Sequence, residues 1–346
     1  MNGSSILVTG AAGEIGHALI RELATNQGNH ITALDLRDIS REYSQRNVTT
    51  IRGDVCDSSL INSLIEKNYD IVFHLAALLS TSAENNPDRA HAVNVDASAR
   101  LLSKLSINAL ERNRKVKFIF PSSIAVHGVD PSAADAPVKE DQYLNPITVY
   151  GINKLYVEQF GAYLARRTRN TALRLNRKGQ LIFRAIRFPG ILSPDTVPTG
   201  GTSDYGPEML HAAAQGKAYE CFVKPDSTLP FCTMSDAVRA LLMLVDAPEE
   251  NLTRSVYAIT AFSVSAEQIR EKVCQAFPEA QIGYNPDPAR LAIVESWPRY
   301  IDDSAARNDW GWLPEYNFER AFTENLIPAV RNFYNKAESH HSSVSA

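Results

Sequence analysis

Tyr150 and Lys154 stand four residues apart in the stretch TVYGINK, which puts both side chains on one face of a helix. A tyrosine with an ordinary pKa near ~10 is a poor base at neutral pH, and an adjacent ammonium lowers that pKa by stabilising the phenolate. The pair reads as a proton acceptor and its activator, although any amphipathic helix can carry this spacing by chance. Ser122 and Ser123 lie at the end of an apolar run, residues 116–122, that reads as a strand. Hydroxyls at the carboxyl edge of a parallel sheet sit where open α/β folds take ligands, and one of them can hold a substrate oxygen while charge develops on it. Serines also end strands as simple caps, so this second reading depends on Tyr150.

Gly10, Gly13 and Gly16 give the spacing GxxGxxG directly after the apolar run 6–9 and at the opening of a helical pattern, residues 14–23. Backbone free of side chains can approach a pyrophosphate closely there, and a helix N-terminus adds N–H donors and positive dipole. Asp35 ends the next strand, 19 residues past Gly16. A carboxylate at that point accepts from a ribose 2′-hydroxyl and repels a 2′-phosphate. Arg37 is a competing phosphate ligand, and the preceding acid tips the balance to NAD over NADP. Asp54 and Val55 follow the third strand, where an adenine ring can be hydrogen-bonded and packed against. With the glycine turn in the same chain, the Tyr150–Lys154 pair takes the chemical reading.

Strand-like runs at residues 6–9, 30–35, 49–53, 70–76 and 116–122 alternate with helical patterns, the rhythm of a parallel sheet with crossover helices. A sixth run at 181–187 follows the helix that begins near Tyr150. The expected fold class is α/β, a Rossmann-type doubly wound parallel sheet at residues 1–190 with a smaller substrate-binding lobe at 191–336. Helices at 234–245 and 266–276 are assigned to that lobe, with some elements returning to the first domain. The Pro- and Gly-rich stretch 193–203 reads as a loop able to close over a ligand. The arginine-rich stretch 166–180 reads as a solvated surface loop, and the Ser-rich tail 337–346 as disordered.

Composition narrows the classes further. Hydrophobic residues at 44% and charged residues at 21% exclude a disordered or fibrous chain. A net charge of −4 gives no electrostatic reason to expect nucleic acid or an anionic membrane as partner, which leaves small molecules. Cys56, Cys221, Cys232 and Cys274 form no CxxC pair, so no metal is expected, and they read as reduced thiols of a cytoplasmic protein.

With VTGAAGEIG, GDV, FHLAA, PSSIAV and YGINK in this order, the chain resembles the extended short-chain dehydrogenases of the NAD-dependent epimerase/dehydratase superfamily. The resemblance implies that Asn94 joins Ser123, Tyr150 and Lys154 in the active-site hydrogen-bond network. It also implies that His74 to Ala77 line the cofactor, with Leu75, Ala76 and Ala77 in contact with it beside Glu14, Ile15 and Leu36. Within the family the chain is most similar to the short-chain-type L-threonine 3-dehydrogenases, through segments such as AALLSTSAENNP, RFPGILS, PTGGTSDY and ESWPRYIDDSAARNDWGW. That likeness implies a homodimer in which Ser80, Ser122, Ser123, Thr148, Tyr150, Gly201, Thr202 and Trp297 surround an amino acid. Trp297 fits core packing equally well. Pro194-Asp195 departs from the pattern in the substrate loop. The implied reaction is oxidation of L-threonine at C3 to 2-amino-3-oxobutanoate; a nucleotide-sugar epimerase or dehydratase with tightly held NAD, or an NAD-binding regulator without catalysis, are the alternatives.

Overall fold

In the first half of the chain the expected alternation is present: β1 (Ser5–Thr9), α1 (Glu14–Thr25), β2 (His30–Asp35), β3 (Val48–Arg52), α2 (Ser58–Ile65) and β4 (Ile71–His74). Two short helices, α3 (Ser80–Asn85) and α4 (Pro87–Ala90), run into a π-helical stretch at His91–Ala97. They are followed by α5 (Ser98–Glu111), β5 (Lys115–Ser123), α6 (Val149–Arg174) and β6 (Gln180–Phe188). The remainder contains β7 (Gly190–Leu192), α7 (Tyr205–Ala214), β8 (Tyr219–Cys221), β9 (Thr228–Thr233), α8 (Met234–Asp246), β10 (Val256–Ala258) and β11 (Phe262–Ser265). It ends with α9 (Ala266–Ala276), β12 (Ile282–Tyr284), α10 (Pro288–Glu295), α11 (Ser304–Trp310), α12 (Phe318–Arg320) and α13 (Ile327–Val344). The structure is a computed structural model and describes residues 3–39, 47–133, 135–194 and 201–344.

Seven strands form one parallel sheet in the order β10-β6-β5-β4-β1-β2-β3. The order reverses between β1 and β4, which opens a crevice at the carboxyl ends of those strands, the place where such sheets bind ligands. Helices cover both faces, so the central strands are apolar on both sides, and β4 and β6 are buried along their whole length. Leu19, Leu241, Val245 and Trp312 pack on one face, and Leu64, Leu101, Val157 and Leu164 on the other. The smaller lobe is built on the sheet β11-β9-β7 and the pair β12-β8, around Tyr205, Phe222, Phe231 and Ile269.

Three expectations need revision. The helix at 234–245, assigned to the smaller lobe, is α8 and lies on the large sheet beside α1, because Val238, Leu241, Leu244 and Val245 are buried there. The strand β10 likewise returns to the large sheet as its seventh member. The arginine-rich stretch is not a loop up to Arg174: α6 continues through it with Leu164, Thr168 and Ala172 buried at four-residue spacing and Arg166, Arg167 and Arg169 outside. The tail is helical rather than disordered through Val344, since residues 335–344 hold no proline or glycine to end α13. Residues 195–200 of the 193–203 loop lie outside the described residues.

Candidate active site

A cavity of about 770 Å³ runs from the β1–α1 turn across the ends of β4 and β5 to the smaller lobe. Gly10 and Gly16 set its floor. Gly10 has φ +70°, and a Cβ there would lie 2.5 Å from the Ala76 nitrogen; a Cβ on Gly16 would lie 2.5 Å from the Gly10 oxygen. Only glycine lets the turn, the end of β4 and α1 come this close. Gly13 is the N-cap of α1 and provides no side-chain hydrogen bond, so the first-turn N–H groups remain for an anionic ligand. Asp35 lines the same cavity, its carboxylate accepting from the Ala12 N–H at 2.9 Å and the Arg37 N–H at 2.9 Å. Arg37 is held back by donating to the Ala12 carbonyl at 2.6 Å. Glu14, Ile15, Leu36, Val55, Leu75, Ala76 and Ala77 complete the wall. Asp54 also lines it, with one carboxylate oxygen accepting from Arg89 at 2.9 Å and the other from the Cys56 N–H at 2.8 Å. An uncapped helix N-terminus, a glycine floor and an acid at the end of β2 fit a dinucleotide.

Tyr150 and Lys154 face this cavity from α6, and Ser123 from the end of β5. Thr148 caps α6 by accepting from the Gly151 N–H at 3.0 Å, which fixes where the helix starts and therefore where Tyr150 points. Lys154 Nζ donates to the Pro121 carbonyl at 2.6 Å and lies 5.4 Å from the Tyr150 ring centroid. Burial pushes the Tyr150 phenol up to about 12, opposed by a hydrogen bond with Ser123. Burial also brings Lys154 down to about 7, opposed by the charge of Glu158. For both groups loss of solvent is the largest cause.

Towards the smaller lobe the cavity wall holds two hydroxyls from distant parts of the chain. Thr202 donates to Ser80 at 2.9 Å, and both are buried. Gly201 is fixed beside them, its N–H on Asp204 at 2.6 Å and its carbonyl on Arg290 at 2.9 Å. Trp297 lines the cavity while packing in the smaller lobe's core.

Several candidates are differently employed. Ser122 lines the cavity with Ser123, and its hydroxyl donates to Glu158 at 2.5 Å. Thr148 is the cap described above and not a cavity residue. Asn94 clamps Leu78, accepting from its N–H at 2.8 Å and donating to its carbonyl at 3.0 Å, and so shapes the cavity edge indirectly. His74 does not line the cavity. It is a core histidine bridging Thr9 at 2.7 Å and Ser98 at 2.8 Å, held neutral by burial that brings it to about 3. Sequence reasoning missed Glu158 and Arg187, joined by a buried ion pair at 2.7 Å. The four-residue step from Tyr150 to Lys154 to Glu158 was the available signal.

Comparison with known proteins agrees with this geometry. Residues 6–260 match the NAD dependent epimerase/dehydratase family. The mitochondrial L-threonine 3-dehydrogenase of Bos taurus is 33% identical over 331 residues, covering 95% of this chain and 82% of its own. A monomeric L-threonine 3-dehydrogenase of metagenomic origin, in its apo form, superposes with a TM-score of 0.79 at 34% identity, covering 95% of this chain and 99% of that one. The L-threonine 3-dehydrogenase of Trypanosoma brucei gives a TM-score of 0.78 at 30% identity, with 95% and 96% covered. With that match spanning well over half of its length, the chain belongs to the NAD dependent epimerase/dehydratase family.

Proposed function

We propose that the chain is a dehydrogenase that oxidises L-threonine at C3 to 2-amino-3-oxobutanoate with NAD as acceptor. The observation that carries this reading is one continuous cavity with Ser123, Tyr150 and Lys154 at its centre and the Ser80–Thr202 hydroxyl pair beyond them. The names of its relatives support the same substrate. NAD, when bound, supplies a hydride acceptor at C4 of the nicotinamide. Tyr150 takes the proton of the threonine 3-hydroxyl while the C3 hydrogen leaves with its electron pair, so the C3–O bond becomes a carbonyl. Ser123 donates to that oxygen and holds it in line with Tyr150. The Lys154 ammonium makes proton acceptance by Tyr150 less costly. Thr202 and Ser80 offer hydroxyls to the amine and carboxylate, groups that a simple alcohol lacks.

Two copies of the chain would pair through α5 and α6, which lie side by side and carry exposed Ile107, Ile152, Tyr156 and Tyr163. All four cysteines are free, in keeping with a reducing, cytoplasmic setting. Among the described residues no helix is long and apolar enough to cross a membrane. NADH formation followed by absorbance across hydroxy amino acids and UDP-sugars tests the activity. L-Threonine should be the best substrate, and conversion of a UDP-hexose without any threonine turnover would replace this reading with an epimerase.

A further inference from the structure

Tyr150, Lys154 and Glu158 follow one another at four-residue steps along one face of α6. Glu158 is 1% exposed. Arg187 on β6, itself 2% exposed, grips it with two bonds, Nε to Oε1 at 2.9 Å and Nη2 to Oε2 at 2.7 Å. Ser122 on β5 donates to Oε1 from the other side. Arg187 is anchored in turn on the Glu140 carbonyl at 2.6 Å and faces His127 at 3.4 Å. Burying such a pair adds little stability over apolar residues of the same volume, so packing alone does not account for it.

Its location does. Lys154 faces the rings of Phe120 and Tyr150 and the Pro121 carbonyl, and it acts electrostatically on His74, which is neutral. Glu158, one helical turn further along α6, is an anion that favours its charged form. Through Ser122 the same carboxylate also grips β5 one residue before Ser123. We propose that Glu158 is a positioning residue for the reaction, its carboxylate holding both the charge of Lys154 and the strand end that carries Ser123. The inference rests on the dehydrogenase reading for its kinetic consequence but not for the electrostatic one.

Glu158→Gln keeps the shape and removes the charge. The double variant Glu158→Gln/Arg187→Met also removes the guanidinium that the single variant leaves unpaired. Both should lose the Lys154 ammonium at lower pH. The alkaline limb of kcat/KM then moves down by ~1 pH unit or more, and kcat on that limb falls about tenfold. Titration of NADH binding against pH by cofactor fluorescence reads the same shift without any substrate, so a wrong choice of substrate and a wrong role for Glu158 give different outcomes. A folded double variant with wild-type limbs in both measurements overturns the proposal. Should neither variant fold, Ser122→Ala decides: a several-fold drop in kcat with unchanged KM is expected, and an unchanged kcat overturns it.

Discussion

Substituting Gly10 by alanine tests the glycine floor in a way that separates backbone strain from crowding. At φ +70° an alanine pays roughly 1–2 kcal/mol for the left-handed conformation. Its Cβ would also meet three backbone atoms, the Ala76 nitrogen at 2.5 Å, the Leu75 carbonyl carbon at 2.7 Å and the Ala76 Cα at 2.8 Å. These backbone atoms directly follow β4 and cannot rotate away as a side chain can, so overpacking adds roughly 1–3 kcal/mol. The total is about 2–5 kcal/mol. Gly216 is the internal control, with φ +64° and nothing within 4 Å of its Cβ, and Gly216→Ala should cost the strain alone. Denaturant unfolding gives both losses, and a cofactor titration gives NAD affinity. Gly10→Ala should exceed Gly216→Ala by at least ~1 kcal/mol and weaken NAD about tenfold or more, because the displaced Ala76 lines the cavity. Equal losses for the two variants, with NAD affinity unchanged, would refute the floor.

Asp35→Ala should weaken NAD and raise the NADP/NAD ratio of kcat/KM, since it removes both the ribose acceptor and the charge that repels a phosphate; an unchanged ratio would contradict that role. Thr202→Val keeps the shape but loses the hydroxyl that reaches Ser80, so KM for threonine should rise while NAD affinity holds, as parallel titrations can show. Because the Tyr150 phenol lies high, at about 12, and Lys154 loses its charge at about 7, kcat/KM should climb with pH only up to about 7, and a flat profile between about 5 and about 7 would exclude Tyr150 as the base. His74 and His127 are held neutral, at about 3 and about 4, below their unfolded value of ~6.5. The unfolded chain therefore binds more protons below that pH, and stability, complete above it, falls by roughly 1.4 kcal/mol per pH unit per histidine towards about pH 4. His127→Gln should flatten that slope by about one proton in urea unfolding.

Elements whose residues serve a single local purpose were legible in the sequence. The β1–α1 turn, Asp35 and Tyr150 could be placed because glycine spacing, strand rhythm and helix pitch are short-range signals. For Thr148 and Ser122 the sequence shows a hydroxyl but not its partner; which way it turns depends on an N–H three residues on, or on a carboxylate 36 residues away. The return of α8 to the large sheet was hidden for a similar reason, since an amphipathic helix does not announce which apolar surface it will cover. The outward arginines of α6 masked a buried stripe of small and apolar residues, Thr168 and Ala172 among them, that only the length of the helix reveals.

The central claim is that hydride leaves C3 of threonine and departs with the cofactor. L-Threonine carrying deuterium at C3 should give released reduced cofactor with one deuterium at C4, an amino-ketone product with none at C3, and a slower rate in Tyr150→Phe by on the order of 10² to 10⁴. Deuterium that stays with the substrate while the cofactor remains bound and oxidised at the end of each turnover would contradict the account.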